Sequence, residues 1–300
     1  MCLEKGIRLN LNIQELRKIG RDKLKDEVED YIYKVDILLE HILDFSKTEL
    51  IMNLDKEVSE QICTEFKLDL EELLKGKPIQ YITNTQEFMK LNFFVDESVL
   101  IPQPDTEILV ETALKLAKNI YAKVRKVKIW DLCTGSGAIA ISLEKYLNLE
   151  KYLENSNIEI YASDISEKAL KIAEKNAKII NQDTNIKFVL SDMFKNIPQK
   201  DFDIIVSNPP YIETDTITTL SKEVQNEPLI ALDGGNDGLE FYRIIASNGY
   251  KYLKNNGTIL MEIGYNQKEK VTNIFKKSGK YKSIECIKDL SNNDRVIIAT

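Results

Sequence analysis

The sequence predicts an α/β fold in which a doubly wound parallel sheet follows a small N-terminal bundle of helices. From residue 128 onward, short apolar runs of strand length alternate with amphipathic helical segments, as in parallel sheets covered by helices on both faces. Residues 10–75 show only the three- and four-residue periodicity of helices. Between these regions lie short extended pieces separated by turn residues.

The N-terminal helices are indicated by apolar residues at helical spacing with charged residues between them. They fall into three runs: Leu16, Ile19, Leu24 and Val28; Val35, Leu38, Leu39, Ile42 and Leu43; and Val58, Ile62, Phe66, Leu70, Leu73 and Leu74. Gly76 and Pro78 end the last helix, because glycine favours the position after a helix and proline cannot continue one. This bundle lacks a glycine-rich loop, so we assign it to packing and partner binding.

The segment that follows is predicted to be a β-hairpin linker. Its extended pieces are Ile79–Ile82, Glu87–Lys90 and Asn92–Val95. A helix then begins with Asp105 or Thr106 as its cap, since both side chains can accept a hydrogen bond from the first turn.

The strands of the sheet are predicted from short apolar runs, several of them rich in β-branched residues and bounded by turn residues. They are Ile129–Leu132, Ile158–Ala162, Ile186–Leu190, Phe202–Val206, Thr258–Ile263, Ser283–Ile287 and Arg295–Ala299. Helices are expected from Ala138, over Glu167–Ile180, near Gly238–Leu253 and over Gln267–Lys277, but not between the last two strands. These two are therefore predicted to form an antiparallel hairpin at the sheet edge.

The composition, with 43% hydrophobic residues in a chain of 300, indicates a globular protein. The apolar runs are far shorter than a membrane span and the N-terminus lacks a signal sequence, so we expect a cytoplasmic protein without a membrane partner. The net charge of −7 argues against broad binding of a nucleic-acid backbone. Four cysteines without paired spacing and a single histidine, His41, leave little material for a metal site or a hydrolase triad.

A glycine-containing loop, Cys133-Thr134-Gly135-Ser136-Gly137, joins the first strand of the sheet to its helix. Nucleotides bind at this place in doubly wound sheets, because glycines allow the backbone to approach the ligand closely. Residues 135–140 also satisfy the dinucleotide fingerprint G-x-G-x-x-G/A. NAD and S-adenosylmethionine are therefore both candidate ligands.

Acidic residues at three strand ends favour a nucleoside, and the first of them favours S-adenosylmethionine. A fixed charge on Asp131 would repel a diphosphate and attract an ammonium and a sulfonium. Asp164 can accept hydrogen bonds from ribose hydroxyls of either cofactor. Asp192 can accept the adenine amine, and Met193 or Phe194 can pack on the ring.

The strand ending at Val206 and Ser207 is followed directly by Asn208-Pro209-Pro210-Tyr211. Two consecutive prolines fix φ and remove two backbone donors, so the carbonyls of this corner are free to accept hydrogen bonds. Asn208 adds a side-chain oxygen and Tyr211 an aromatic face. The corner suits a planar group that carries NH2, such as an amide or a nucleobase amine.

Together these features resemble the release factor glutamine methyltransferases. These are class I S-adenosylmethionine enzymes that methylate the glutamine amide in the Gly-Gly-Gln loop of bacterial peptide chain release factors. The resemblance extends from about Gly76 to the C-terminus, and the N-terminal helices fit it in type and length. Besides the glycine loop and the Asn208 corner, it is carried by Pro78–Ile82, Glu87–Phe88, Val99–Pro102, Pro104–Glu107, Glu227–Pro228, Ala231–Leu232, Gly234–Gly235, Asp237–Leu239, Glu262–Gly264 and Gln267. The chain departs from the family at Asn84, Gln103 and Met193, where glycine, arginine and an aromatic residue are usual or common.

The resemblance implies a Rossmann-like class I methyltransferase sheet with an N-terminal helical domain and a β-hairpin linker. We place an N-terminal substrate-binding or partner-binding domain at 1–76, the linker at 77–104 and the methyltransferase domain at 105–300. The implied activity is methylation of the N5 atom of that glutamine, which modulates translation termination. The implied partners are release factors, without a metal and without direct binding of nucleic acid.

The resemblance also implies a set of site residues, which adds to the residues inferred above from the ends of the strands. The cofactor is expected at Cys133, Thr134, Gly135, Ser136, Gly137, Asp164, Asp192, Met193 and Asn208. The catalytic residues, which also hold the substrate glutamine, are expected to be Asn208, Pro209, Pro210 and Tyr211.

Two other functions fit parts of the pattern. The Asn-Pro-Pro-Tyr element also occurs in methyltransferases that act on base amines of nucleic acids, on a flipped nucleotide. Acidic residues near the element argue against the basic groove that this would need: Glu213, Asp215, Glu223 and Glu227. The other alternative is a cofactor-binding module without catalysis, which the intact element disfavours.

Overall fold

The computed structural model describes residues 11–150 and 157–300, and the chain forms two compact units. One unit runs to Asn84 and also contains Ser221–Asn226. The other comprises Thr85–Leu220 and Glu227–Thr300. Within the described residues, none of the helices is both long enough and apolar enough to cross a membrane.

The first unit is helical, as the periodicity predicts. Its helices are α1 (Ile13–Leu24), α2 (Tyr31–Leu43), α3 (Lys47–Met52), α4 (Glu60–Leu74) and α5 (Ile79–Thr83). Asn12, Ser46 and Ser59 cap α1, α3 and α4 by accepting hydrogen bonds from backbone amides of the first turn. The apolar faces of the helices meet in a core that includes Leu16, Leu38 and Phe66.

The strand predicted at Ile79–Ile82 is wrong, because these residues belong to the helix α5. Ile79 and Tyr81 are both buried, and this two-residue spacing is the one that a strand would show. Pro78 precedes the helix, and Asn84 ends it with φ of +53°. Asparagine adopts this left-handed conformation at low cost, so it can stand where the resemblance leads us to expect glycine.

The predicted hairpin is confirmed with slightly different limits. Strand β1 (Thr85–Phe88) pairs antiparallel with β2 (Leu91–Phe94). The two turn residues, Met89 and Lys90, both have positive φ, as in the tight turns that match the twist of a hairpin.

The second unit is built on one mixed sheet whose helices pack on both faces. After α6 (Glu107–Val124) come β3 (Val127–Leu132), α7 (Ala138–Asn148), β4 (Ile158–Asp164), α8 (Glu167–Ile180), β5 (Lys187–Leu190) and β6 (Phe202–Ser207). The loop after β6 contains three short helices that were not predicted: α9 (Thr214–Ile217), α10 (Lys222–Gln225) and α11 (Leu229–Leu232). Of these, α10 lies within Ser221–Asn226 and so belongs to the first unit. The chain ends with α12 (Glu240–Asn248), β7 (Leu253–Glu262), α13 (Lys268–Ser278), β8 (Ile284–Lys288) and β9 (Asp294–Ala299).

The strand order β5-β4-β3-β6-β7-β9-β8 confirms the doubly wound sheet. Strands β3 to β7 are parallel, whereas β9 is antiparallel to both β7 and β8, so the closing hairpin is also confirmed. The order reverses at β3, between β4 and β6. Ligands of doubly wound sheets bind outside the carboxyl ends of the strands at this point.

Alternate residues of the central strands supply the two cores of this unit. Ile129 and Ile204 pack in one core, while Trp130 and Ile205 pack in the other. The hairpin belongs to this unit through Asn176 of α8, whose side chain accepts from the Phe94 amide at 2.7 Å and donates to the Phe94 carbonyl at 3.0 Å.

Candidate cofactor and substrate site

A cavity of about 750 Å³ lies beside the carboxyl ends of β3, β4, β5 and β6. It is lined by most of the residues predicted for the site: Cys133, Thr134, Gly135, Ser136, Asp164, Asp192, Met193, Asn208 and Pro210. Three predicted residues, Gly137, Pro209 and Tyr211, do not line it. The structure therefore brings the glycine loop, the strand-end acids and the Asn208 corner to one cavity.

The two glycines of the loop are needed for different physical reasons. Gly135 has φ of +54°, and a Cβ at this position would meet no atom within 4 Å, so the backbone borders open space. Gly137 has φ of +81° at the start of α7, and a Cβ there would lie 2.7 Å from Ile141 Cδ1 and 3.0 Å from Ala173 Cβ. Gly135 thus opens the loop towards the cavity, whereas Gly137 allows α7 and α8 to pack closely.

The carboxylate of Asp164 is tied to the glycine loop. It accepts hydrogen bonds from the Gly135 amide and the Ser166 amide, both at 2.9 Å. Burial raises its pKa, and these amides act in the opposite direction. A carboxylate has about four acceptor positions, so Asp164 keeps capacity for the hydroxyls of a ribose.

The argument from Asp131 to the cofactor needs correction. Its side chain is fully buried and does not line the cavity. One oxygen accepts from the Thr134 hydroxyl at 2.6 Å and from the Ala140 amide at 3.1 Å, and the other has no partner. Burial raises the pKa of the Asp131 carboxyl to about 7, so it is not a fixed negative charge facing a ligand. Its role in this structure is to shape the loop.

The residues predicted for the adenine line another part of the cavity. Asp192 pairs with Lys195 at 2.6 Å. Met193 has φ of +47°, and its sulfur lies 3.8 Å from the sulfur of Cys133. The Phe194 ring meets Trp130 edge to face at 5.3 Å, so it is fixed by the core while it lines the cavity.

The Asn208 side chain is held by Thr106, and both residues line the cavity. Asn208 Nδ2 donates to Thr106 Oγ1 at 3.2 Å, and Thr106 Oγ1 donates to Glu262 Oε2 at 2.6 Å. Thr106 occupies the N-cap position of α6, as predicted, but its side chain makes no cap hydrogen bond, and Asp105 pairs with Arg295 at 2.8 Å. Both side chains are engaged by residues far along the chain.

Glu262 is the central acid of this network and is only 2% exposed. It accepts from Thr106 and from the Tyr211 hydroxyl at 3.4 Å. Burial raises the pKa of the Glu262 carboxyl to about 7, opposed by the Thr106 hydrogen bond and the charge of Arg295. Neither residue was predicted to belong to the site, and Thr106 was considered only as a helix cap. The acid at the end of the apolar run Thr258–Ile263 was a usable signal for Glu262.

The backbone of the Asn208 corner is rigid. The Tyr211 carbonyl accepts from Gln267 Nε2 at 2.9 Å. A Cβ at Gly234 would lie 2.7 Å from Tyr211 Cα, and one at Gly238 would collide with the Tyr211 carbonyl. Close contact with these two glycines leaves Tyr211 little freedom to move.

Comparison with known proteins identifies the family. The release factor glutamine methyltransferase of Clostridium acetobutylicum is 40% identical over 279 residues, covering 91% of this chain and 93% of that protein. The protein of the same name from Thermodesulfovibrio yellowstonii is 41% identical over 281 residues, covering 92% of this chain and 96% of that protein. This chain belongs to the release factor glutamine methyltransferases. The resemblance inferred from the motifs is thereby confirmed, and with it the assignment to the S-adenosylmethionine-dependent methyltransferases.

The domain families agree with this membership. Residues 15–83 match the PrmC N-terminal domain and residues 105–235 match the methyltransferase small domain. Among solved structures, the hMettl16 catalytic domain in complex with an RNA hairpin aligns with a TM-score of 0.51 at 16% identity, over 83% of this chain and 86% of that one. At this identity the likeness supports the class I methyltransferase fold alone.

The residues around the cavity fit the cofactor of the family. The loop at Gly135 presents backbone where a side chain would otherwise project, and Asp164 offers acceptors to a ribose. Cys133, Met193 and Phe194 offer sulfur and aromatic surfaces to a purine. Gln103, where the resemblance leads us to expect arginine, donates to the Ile101 carbonyl at 3.1 Å and lines the cavity.

Proposed function

We propose that this chain methylates the N5 atom of the glutamine in the Gly-Gly-Gln motif of peptide chain release factors and thereby modulates translation termination. S-adenosylmethionine is the methyl donor. The observation that carries the proposal is the position of Asn208, which lines the cavity and whose Nδ2 donates a hydrogen bond to Thr106. The acceptor oxygen Oδ1 is therefore the part of the amide left for a substrate NH2. The names of the relatives support glutamine as that substrate.

The corner has to overcome the low nucleophilicity of an amide nitrogen, whose lone pair is delocalised into the carbonyl. We assign Asn208 Oδ1 and the Pro209 carbonyl to accept the two N–H bonds of the substrate amide. These bonds aim the nitrogen at the methyl group and strengthen as positive charge develops on it, so they favour the transition state over the ground state. Well-aligned reactants held together in this way react as if one of them were present at an effective concentration on the order of 10⁵ M or more.

S-adenosylmethionine supplies an electrophilic methyl group and leaves as S-adenosylhomocysteine with the electron pair of the broken carbon–sulfur bond. The glutamine nitrogen forms the new bond and then loses a proton to water, so a strong base is not required. Pro210 keeps the corner stiff, and the Tyr211 ring packs on the amide plane, with its hydroxyl oriented by Glu262. The loop residues 133–137, together with Asp164, Asp192 and Met193, hold the nucleoside.

The other assignments follow from the substrate. We propose that residues 1–76 bind the body of the release factor and that residues 105–300 transfer the methyl group. Residues 77–104 are proposed to link these two domains. Release factors act on ribosomes, so we place the protein in the cytoplasm. A metal and direct contact with nucleic acid are not part of this proposal.

The test is mass spectrometry of a purified release factor after incubation with the protein and S-adenosylmethionine labelled in its methyl group. We expect one labelled methyl group on the Gly-Gly-Gln peptide, and labelling slowed on the order of 10²–10³-fold with the Asn208→Ala variant. Label found instead on a base amine of added DNA or RNA would support the nucleic-acid alternative. Cofactor binding without transfer to either substrate would support the non-catalytic alternative.

A further inference from the structure

Thr106 and Glu262 form a hydrogen-bonded chain that ends on Asn208, and this arrangement bears on the chemistry of the corner. We infer that Thr106 and Glu262 are positioning residues, which fix the orientation of the Asn208 amide so that its oxygen faces the substrate. This inference rests on the proposed function, because the orientation matters only if the substrate presents an NH2 group.

The side-chain amide of asparagine can be turned by 180° about its last torsion with little change in shape. One orientation presents a carbonyl oxygen, and the other presents an NH2 group. An NH2 group facing the NH2 of a substrate glutamine would place donor against donor. The corner therefore needs a partner that accepts from Asn208 Nδ2 and does not donate to Asn208.

Thr106 meets this requirement only because of Glu262. A threonine hydroxyl has one hydrogen, which it can donate in one direction. With an ionised Glu262 at 2.6 Å, that hydrogen is committed to the carboxylate. The oxygen of Thr106 is then a pure acceptor towards Asn208, 3.2 Å away, and the amide is held with Nδ2 towards Thr106.

The charged and titratable groups around Glu262 come from several elements. Arg295 of β9 favours the ionised form, while Asp105 before α6 opposes it. The Tyr211 hydroxyl, from the loop after β6, lies 3.4 Å from Glu262 Oε1. Tyr242 of α12 donates to the Glu262 backbone carbonyl at 3.0 Å. A protonated Glu262 can donate to Thr106, which frees the Thr106 hydrogen for Asn208 and permits the opposite orientation.

The decisive test compares Thr106→Val with Thr106→Ser. Valine matches the shape of threonine without the hydroxyl, whereas serine keeps the hydroxyl and loses the methyl group. We expect Thr106→Val to lower kcat on the order of 10²-fold, as for other losses of alignment. Thr106→Ser should stay within about fivefold of the wild type, because the hydrogen-bonded chain can still form. The affinity for S-adenosylhomocysteine should be retained in both.

Two further readouts separate orientation from packing. Calorimetric binding of a Gly-Gly-Gln peptide to the protein loaded with S-adenosylhomocysteine should weaken in Thr106→Val and not in Thr106→Ser. Melting temperatures establish that both variants are folded. A purely packing role predicts the reverse order, with valine at least as active as serine, and that result would overturn the inference.

The pH profile of kcat at saturating cofactor tests the part played by Glu262. We expect activity to fall as the pH drops through about 7, and this acid limb to disappear in Glu262→Gln while it persists in Asp131→Asn. Persistence of the limb in Glu262→Gln would refute the role of Glu262. The wild-type assay comes first: absence of glutamine methylation refutes the proposed function together with this inference, whereas an active wild type with an equally active Thr106→Val refutes only the inference.

Discussion

The backbone amide of Gly135 donates a hydrogen bond to Asp164 across 2.9 Å, which ties the glycine loop after β3 to the acid at the end of β4. Hydrogen bonds within the chain thus organise the cofactor half of the cavity. The substrate half is organised separately, by the contacts of Asn208 and Tyr211 with Thr106, Glu262 and Gln267. This separation predicts that the two halves can be damaged independently.

Replacing Asp164 should act on cofactor binding. We expect Asp164→Ala to weaken binding of S-adenosylhomocysteine by roughly 10–100-fold, because hydrogen bonds to a charged acceptor are lost. The value of kcat at saturating S-adenosylmethionine should change little. Isothermal titration and steady-state kinetics measure the two effects, and a large loss of kcat with unchanged affinity would contradict the assignment.

Replacing Asn208 should have the opposite effect. We expect Asn208→Ala to lower kcat on the order of 10²–10³-fold, because an acceptor that acts in the transition state is removed. The same titration should give an affinity for S-adenosylhomocysteine within about threefold of the wild type, since most of the nucleoside contacts are untouched. Equal losses in kcat and affinity would count against a substrate-holding role.

The two glycines of the loop form a matched pair. Gly135→Ala should cost about 1–2 kcal/mol of stability from its left-handed backbone, and its Cβ should obstruct the cofactor. Gly137→Ala should cost more, about 2–4 kcal/mol, because close contacts with Ile141 and Ala173 add to the same backbone strain. Urea unfolding and cofactor titration of both variants check this order. A Gly137→Ala variant as stable as Gly135→Ala would contradict the close packing of α7 and α8.

The raised pKa of Asp131 predicts a pH dependence of stability in the absence of cofactor. The folded protein, in which the pKa is about 7, holds this proton more tightly than the unfolded chain, in which it is near 3.8. Its contribution to stability is therefore full below pH 4 and is lost as the pH rises through 7. Between pH 5 and pH 8 the wild type should lose on the order of 1–4 kcal/mol more than Asp131→Asn. Urea unfolding at both pH values measures this, and parallel losses in the two proteins would refute it.

Much of the fold could be predicted because long, regular patterns determine it. The alternation of strands and helices after residue 128 predicted the sheet, and the stop signals at Gly76 and Pro78 predicted the end of α4. The short segment Ile79–Ile82 was assigned wrongly, since a few residues do not distinguish the two periods. The four-residue helices of the loop after β6 are too short to leave a pattern.

The site was predicted where its residues follow one another along the chain or end neighbouring strands. The pairing of Thr106 with Glu262 was not predicted, because 156 residues separate them and it is the packing of α6 against β6 and β7 that brings them together. The burial of Asp131 was missed for a related reason. Its position at a strand end is visible in the sequence, but the direction of its side chain depends on the packing of the loop.

The account depends most directly on where the nucleoside and the glutamine lie relative to Asn208. A crystal structure of the protein with S-adenosylhomocysteine and a Gly-Gly-Gln peptide measures this. We expect the ribose at Asp164, the sulfur facing the corner, and the glutamine nitrogen within hydrogen-bond distance of Asn208 Oδ1. A nucleoside bound away from the loop of residues 133–137, or a glutamine amide out of reach of Asn208, would contradict the account.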